Sequence, residues 1–370
     1  MRLVQITAGV AHGDAVTNYV LALDQYLKKS GRFRSTRIYA ETISGLHNVG
    51  HLSTYTARPD DFIVYHHSVG LLYLDNFLYG SVRPLLIYHN ITPASFYVDW
   101  NFRAAARMQL GQDQLLQLAR LHLRSVALSE FSANELRAAG FDQVLVFPYP
   151  HIEPKGSAPF LHPATGDLRW KSWLQDDVPI ILFVGRIAPN KRLDLLIETF
   201  AKLRKLTTSR LLLVGSLPSK SDSYGNHLFK LVKEQQLDDD VCWAGYVSDD
   251  ELASIYKKAS LYMSMSQHEG FGVPLVEAMR ADVAVLAHCS LESSVGEILG
   301  GAGIGFTVLD TDWAADVACR ILSNQQLRKL MIDGQRRRVA ELQSVDAFSM
   351  IGLLIDEELT KMQSVSPQQV

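Results

Sequence analysis

The chain has 370 residues, 47% of them hydrophobic and 20% charged, with a formal net charge of −3. That length suits two domains of ordinary size, and the balance is that of a globular protein with substantial cores, not of a disordered or nucleic-acid-binding chain. Cys242, Cys289 and Cys319 form no metal-like spacing and lie in apolar segments, which points to core packing in a reducing compartment. No apolar run reaches the roughly 18 residues of a membrane-spanning helix, and the start, Met1-Arg-Leu-Val-Gln-Ile-Thr, reads as a strand and not a signal peptide. The expected location is the cytoplasm.

In the first half, apolar runs at 2–7, 36–40, 62–66, 84–89, 125–128 and 144–148 alternate with helical patterns, notably 17–29 and 102–120. Such alternation is the signature of a parallel sheet with helices on both faces. Between the first strand and helix lies Ala8-Gly-Val-Ala-His-Gly-Asp-Ala15, where Gly9 and Gly13 are expected to bracket the carboxyl edge of the sheet. It is neither a Gly-x-Gly-x-x-Gly fingerprint nor a Gly-Lys-Ser/Thr phosphate loop, and an ordinary turn with Asp14 at a helix start is its plain alternative. His66, His67 and His89 all follow strands and should reach the same edge, with His89 held by the turn Asn90-Ile-Thr-Pro93. Ser129 and Ser132 have a simple reading as helix caps.

The stretch 147–166 is rich in proline and glycine, which break regular structure, and reads as a linker. A second alternating series follows, with strands at 180–185, 210–215, 241–244, 260–265, 283–287 and 304–308, and helix after about 345. Arg186 leaves the first of these strands behind Gly185, and Lys191 follows five residues on. An arginine offers phosphate a bidentate fork and a lysine adds a compact charge. Two fixed cations can neutralise a departing diphosphate without a metal ion. Asp238-Asp-Asp240, in a polar turn, reads as solvated surface.

The most informative stretch is Ser266-Gln-His-Glu-Gly-Phe-Gly-Val-Pro-Leu-Val-Glu-Ala-Met279. Gly270 and Gly272 allow a tight turn, Pro274 suits a first helical turn, and a helix N-terminus there would attract anions. The flanking carboxylates, Glu269 and Glu277, would oppose a bare phosphate but can accept hydrogen bonds from sugar and ribose hydroxyls. A sugar–diphosphate–ribose is the natural guest.

This stretch resembles the Glu-x7-Glu motif of retaining GT-B glycosyltransferases of the glycosyltransferase family 4 type. Phe183-Val-Gly-Arg-Ile-Ala-Pro-Asn-Lys191 resembles that family's donor-phosphate loop and Leu212-Leu-Val-Gly215 its next strand. Ala244-Gly-Tyr-Val-Ser-Asp-Asp-Glu-Leu252 is similar to the segment lining the nucleotide base. In the first half, Tyr88-His-Asn-Ile-Thr-Pro93 and Ser129-Glu-Phe-Ser132 sit where the family has matching segments. The resemblance implies an α/β GT-B fold, two Rossmann-like domains facing across a cleft: an acceptor-side domain at 1–165, with 346–370 packing back on it, and a nucleotide-sugar domain at 166–345. It implies transfer of a hexose, with retention, from a nucleotide-diphosphate sugar to a hydroxyl of a glycan or lipid-linked acceptor in polysaccharide biosynthesis. UDP-glucose is the first expectation for the donor and GDP-mannose the second; neither cofactor nor metal is expected. His89, Arg186, Lys191 and Glu269 are the implied catalytic residues. Gly13, Tyr246, Val247, Gly270, Phe271, Gly272, Val273 and Glu277 join Arg186 and Lys191 in donor binding. A nucleotide-sugar epimerase on the same scaffold, or a catalytically silent binding subunit, is the alternative.

Residues 1–150 hold thirteen basic and eleven acidic residues. Arg103, Arg107, Arg120 and Arg124 recur along a helical stretch with Trp100, Phe102, Leu115 and Leu116, so peripheral contact with an anionic membrane face is an added expectation.

Overall fold

In a computed structural model, residues 1–78, 84–150, 166–217, 222–290 and 292–364 are described; most of the proline-rich linker, 151–165, lies outside them. The chain divides into two compact units. Unit 1 is 1–91, 107–152 and 343–370, and unit 2 is 92–106 and 153–342.

Unit 1 is built on seven parallel strands: β1 (Arg2–Val10), β2 (Ser35–Ile43), β3 (Gly50–His51), β4 (Asp61–His67), β5 (Leu85–Tyr88), β6 (Ser125–Ala127) and β7 (Val144–Val146), in the order β3-β2-β1-β4-β5-β6-β7. β4 is buried along its whole length, as expected of a parallel strand covered on both faces. The helices of this half are α1 (Ala15–Lys29), α2 (Asp75–Leu78), α3 (Phe102–Ala119) and α4 (Glu130–Ala138). Gly9 is not in a loop as expected: β1 runs on to Val10, pairing Gly9 with Thr42, and a Cβ at Gly9 would lie 2.6 Å from Thr42 Oγ1. Glycine is needed there for a neighbour's side chain, not for a turn.

Unit 2 follows the same plan. After α5 (Arg169–Trp173) come β8 (Ile180–Val184), α6 (Leu193–Leu206), β9 (Arg210–Val214), α7 (Ser223–Glu234), β10 (Val241–Gly245), α8 (Asp249–Lys258), β11 (Leu261–Ser264), α9 (Val273–Arg280), β12 (Val285–His288), α10 (Ser294–Leu299), β13 (Ile304–Phe306), α11 (Thr311–Ser323) and α12 (Gln325–Gln343). The sheet order is β10-β9-β8-β11-β12-β13, all parallel. β12 starts two residues later than the apolar run predicts. Asp282 has φ +59, Val283 N donates back to Ala278 O, and the buried Gln335 amide takes Val285 N and Val283 O. The helix end and a side chain consume backbone groups that a strand would need.

Residues 92–106 pack in unit 2 although they lie in the first half of the sequence. Tyr97 Oη donates to Asn190 Oδ1 (3.4 Å), Ser223 Oγ to Trp100 O (2.6 Å), and the Trp100 ring lies edge-on to Tyr224 (5.1 Å between centroids). At the other end α13 (Ala347–Ser364) returns to unit 1. Arg32 forms a bidentate pair with Asp356 (2.8 and 2.9 Å), and Phe348 meets Tyr19 and Tyr26 on α1.

The turn after β5 rests on a buried network. Asn90 has φ +69, and its Nδ2 donates to Ser132 Oγ (3.2 Å) and to Glu135 Oε2; Tyr88 Oη also donates to Glu135 (3.2 Å). Ser129 caps α4 through Ser132 N. Burial, opposed by these two donors, pushes the Glu135 carboxyl up to about 7. A carboxyl that holds its proton more tightly folded than unfolded contributes stability below the unfolded pKa of about 4.3, and that contribution is lost as pH rises through the folded value. Wild type is therefore expected to lose on the order of 2–3 kcal/mol more between about pH 4 and 8 than Glu135→Gln does. Denaturant titrations of both proteins across that range check this; equal pH slopes would refute the burial of a protonated Glu135.

Candidate active site

Strand order reverses in unit 2 between β8 and β11, and the loops beyond their carboxyl ends part to either side, which is where open α/β sheets bind ligands. These loops hold the residues expected from the sequence: Arg186 and Lys191 after β8, Glu269 to Gly272 after β11. Close backbone contact shapes the neighbouring edge. A Cβ on Gly215 would lie 2.0 Å from Gly185 O, and Gly215 N donates to Gly245 O (3.0 Å). Only glycine lets the ends of β8 and β9 approach so closely.

The sequence suggested separate tasks for Lys191 and Glu269, but the structure pairs them. Lys191 Nζ lies 2.5 Å from Glu269 Oε2, both side chains largely buried. Arg186 is exposed and makes no hydrogen bond or ion pair with the described residues; its charge is felt by Tyr97, whose hydroxyl burial pushes up. Of the two glycines in the loop, Gly272 takes the left-handed conformation (φ +88) and leads directly into α9, with Pro274 in the first turn. Phe271 is buried, Gly270 partly so, and Val273 begins the helix.

Glu277 sits in α9 and accepts a hydrogen bond from Tyr256 Oη (2.9 Å). Burial pushes its carboxyl up, against that bond. Both carboxylates act on Tyr262 of β11, whose hydroxyl is driven well up, first by burial and then by Glu269 and Glu277. Both glutamates are therefore felt at the Tyr262 hydroxyl, which also lies 3.5 Å from Val184 O at the end of β8. Tyr246 and Val247 follow the edge strand β10 and precede Ser248, the cap of α8; Tyr246 is 47% exposed.

Several residues that brace the loop are not among the site residues expected from the sequence. Buried Asn190 donates to His268 O (2.9 Å) and its own carbonyl accepts Gln267 N (2.9 Å). His288 Nδ1 bonds Ser266 O (2.9 Å), and Ser294 Oγ donates to Glu269 O (2.6 Å). Burial pulls the His268 imidazole down to about 4 even beside Glu269, and Phe96 lies against its ring. Backbone carbonyls fixed from three sides hold Glu269 in place.

In unit 1 the reversal falls between β1 and β4. Gly13 takes φ +70 and Asp14 caps α1 through Thr17 N (2.9 Å). His67 is occupied structurally, bonded by Tyr65 Oη at Nδ1 (2.6 Å) and by Gly111 O at Nε2 (3.1 Å). His66 and His89 touch, Nδ1 to Nε2, at 3.0 Å.

The arginines of the basic stretch do not share one task. Arg107 pairs with Glu41 and Arg124 with Glu357 and Glu358 of α13; Leu115 is core and Trp100 packs in unit 2. Arg103, Arg120, Phe102 and Leu116 stay exposed. Asp239 is open to solvent while Asp240 pairs with Arg204 (2.8 Å), and no metal-ligand cluster occurs among the described residues. No helix among them is long and apolar enough to cross a membrane.

Residues 165–338 match the family model described as Glycosyl transferases group 1. The mannosylfructose-phosphate synthase of Agrobacterium fabrum is 38% identical over 104 residues, 27% of this chain and 23% of that protein. The chain spans less than half the length of the first curated relatives it matches. Among solved structures, sucrose-phosphate synthase from Thermosynechococcus elongatus superposes with a TM-score of 0.72 at 18% identity, over 99% of this chain and all of that one. HepE of Anabaena in complex with UDP and glucose gives 0.64 at 16% identity, over 98% and 100%. The chain therefore has the GT-B fold, and its residues 165–338 are similar to the glycosyl transferases group 1 family.

Proposed function

We propose that the protein is a hexosyltransferase that moves a sugar from a nucleotide-diphosphate donor to an acceptor hydroxyl with retention of anomeric configuration. One observation carries the reading. An unpaired arginine and a buried Lys191–Glu269 pair lie on the two loops that part at a strand-order reversal, with Glu277 one helical turn beyond. Arg186 and Lys191 suit the diphosphate, and Glu277 suits ribose hydroxyls. Glu269 suits the sugar.

The bond from the anomeric carbon to the phosphate oxygen breaks as the acceptor oxygen bonds to that carbon on the same face. The acceptor proton passes to a phosphate oxygen of the leaving diphosphate, whose growing charge Arg186 and Lys191 offset. Glu269 and Glu277 are read as binding groups and not as the paired carboxyls of a glycosidase. The likeness to a structure holding UDP and glucose supports a uridine donor as first choice, with GDP-mannose second. A glycan or lipid-linked acceptor in polysaccharide biosynthesis belongs to the same proposal, as does peripheral membrane contact through Phe102, Arg103, Leu116 and Arg120. Turnover of a panel of nucleotide sugars, with product configuration read by NMR, tests the whole; donor interconversion without transfer would favour an epimerase.

Two cations in place of a metal predict that UDP or GDP binds in the presence of chelator. Calorimetric titration with EDTA should give an unchanged affinity, and Arg186→Ala should weaken it by about ten- to a hundredfold, the worth of a charged hydrogen bond. Strict dependence on Mg2+ or Mn2+ would overturn the mechanism.

The ion pair sharpens the division of labour between the glutamates. Glu269→Gln leaves Lys191 without its counter-charge, so free nucleotide diphosphate should bind as well as to wild type or more tightly, while transfer falls. Glu277→Gln loses a charged acceptor for ribose, and free nucleotide should bind about tenfold or more weakly. Titration of both variants alongside turnover decides this; equal weakening by the two substitutions would mean the roles are wrongly assigned.

A further inference from the structure

Gln5 stands alone as an amide within the apolar strand β1 and is fully buried. Its Nε2 lies 3.3 Å from Val20 O and 3.5 Å from Asp24 Oδ1, the latter carboxylate paired with Lys28 at 2.6 Å. Both partners can only accept, so the amide nitrogen must face them and the amide oxygen must face the other way. That oxygen meets His66 Nε2 at 2.9 Å. An amide oxygen cannot donate, so His66 Nε2 carries a proton.

The ring of His66 is fully buried with no anion paired to it among the described residues, and burial drives it well below the ordinary histidine range, with His89 adding to the effect. The ring is neutral, and its Nδ1 is a bare acceptor. The group it faces is His89 Nε2, at 3.0 Å, which must therefore be the donor. Burial likewise pulls His89 down to about 3, so this ring is neutral too and its proton is already placed. His89 Nδ1 is left as a lone pair with no hydrogen-bond partner among the described residues, on a side chain that keeps 8% of its surface. Tyr19 walls both imidazoles edge-on, with centroids 5.9 and 5.0 Å away, and the Asn90 turn fixes the backbone that follows.

We propose that Gln5 and His66 are positioning residues that lock His89 as its Nε2–H tautomer, so that Nδ1 serves as an acceptor for a hydroxyl of a carbohydrate ligand. The class of ligand rests on the functional reading above; the tautomer does not. A neutral acceptor on a rigid strand end selects a ligand that donates and discriminates against one with only an acceptor there, because the mismatch leaves two lone pairs opposed.

Long-range proton–nitrogen correlation spectra of the full chain with 15N-labelled histidine, near pH 7, read the tautomer directly. Signals are assigned by their loss in His66→Gln and in His89→Gln. We expect both rings neutral, protonated at Nε2 and bare at Nδ1. His89 protonated at Nδ1, or at both nitrogens, overturns the proposal, and this measurement needs no variant of Gln5. Gln5→Met keeps the chain's shape and removes the acceptor. His89 should then show both tautomers, kcat/KM for transfer should fall about tenfold, the worth of one hydrogen bond, and nucleotide diphosphate titration should not change. In a His89→Ala background, Gln5→Met should cost nothing more. A further loss there, or mixed tautomers with unchanged kcat/KM, refutes the positioning role. Absence of nucleotide diphosphate binding in wild type would refute the functional reading and leave the tautomer standing.

Discussion

A right-handed crossover can lead a chain only one way across a parallel sheet, so a sheet that grows outward from its middle must reverse its strand order once. In this protein each unit does so beside its first strand, between β1 and β4 and again between β8 and β11. At that point adjacent loops diverge, and the carboxyl edge offers backbone ends that neither loop covers. In unit 2, what differs from a generic doubly wound sheet is what the two loops carry: a cation pair on one side, and a carboxylate, a left-handed glycine and a helix start on the other.

The Lys191–Glu269 pair shows how such a site can stay folded without its ligand. A lysine largely withdrawn from water is costly unless a counter-ion is near, and Glu269 supplies one at 2.5 Å. A diphosphate would offer Lys191 a second anion, and sugar hydroxyls would offer Glu269 donors in exchange. Such a ligand would thus replace an internal partnership and not fill an uncompensated hole. The loop can be held this closely because its carbonyls are fixed by the side chains of Asn190, His288 and Ser294.

The parts of this arrangement that were legible in the sequence are those encoded locally. Apolar runs ended by Gly185 or by Gly270 and Gly272 place strand ends, and the spacing of Glu269 and Glu277 around Pro274 places one in a loop and one in a helix. Contacts between residues far apart in sequence were not legible. Nothing local says that Lys191 reaches Glu269, that Tyr97 supports Asn190, or that Arg107 and Arg124 are taken by Glu41 and by α13. Gly9 misled because a glycine near a strand end reads as a turn, whereas here it makes room for Thr42. Gln5 carries a long-range signal: one amide in a run of buried apolar residues has to satisfy its hydrogen bonds somewhere, and its partner is His66.

The interleaving of the two units along the chain also dictates an order of assembly during synthesis. Residues 92–106 emerge before the rest of unit 2 and wait for Asn190, Ser223 and Tyr224 to take them up. Unit 2 has all its parts once residue 342 is made. Unit 1 begins first yet lacks the helix that covers Tyr19 and pairs Arg32 until α13 has left the ribosome. The half that starts the chain is the last to be finished.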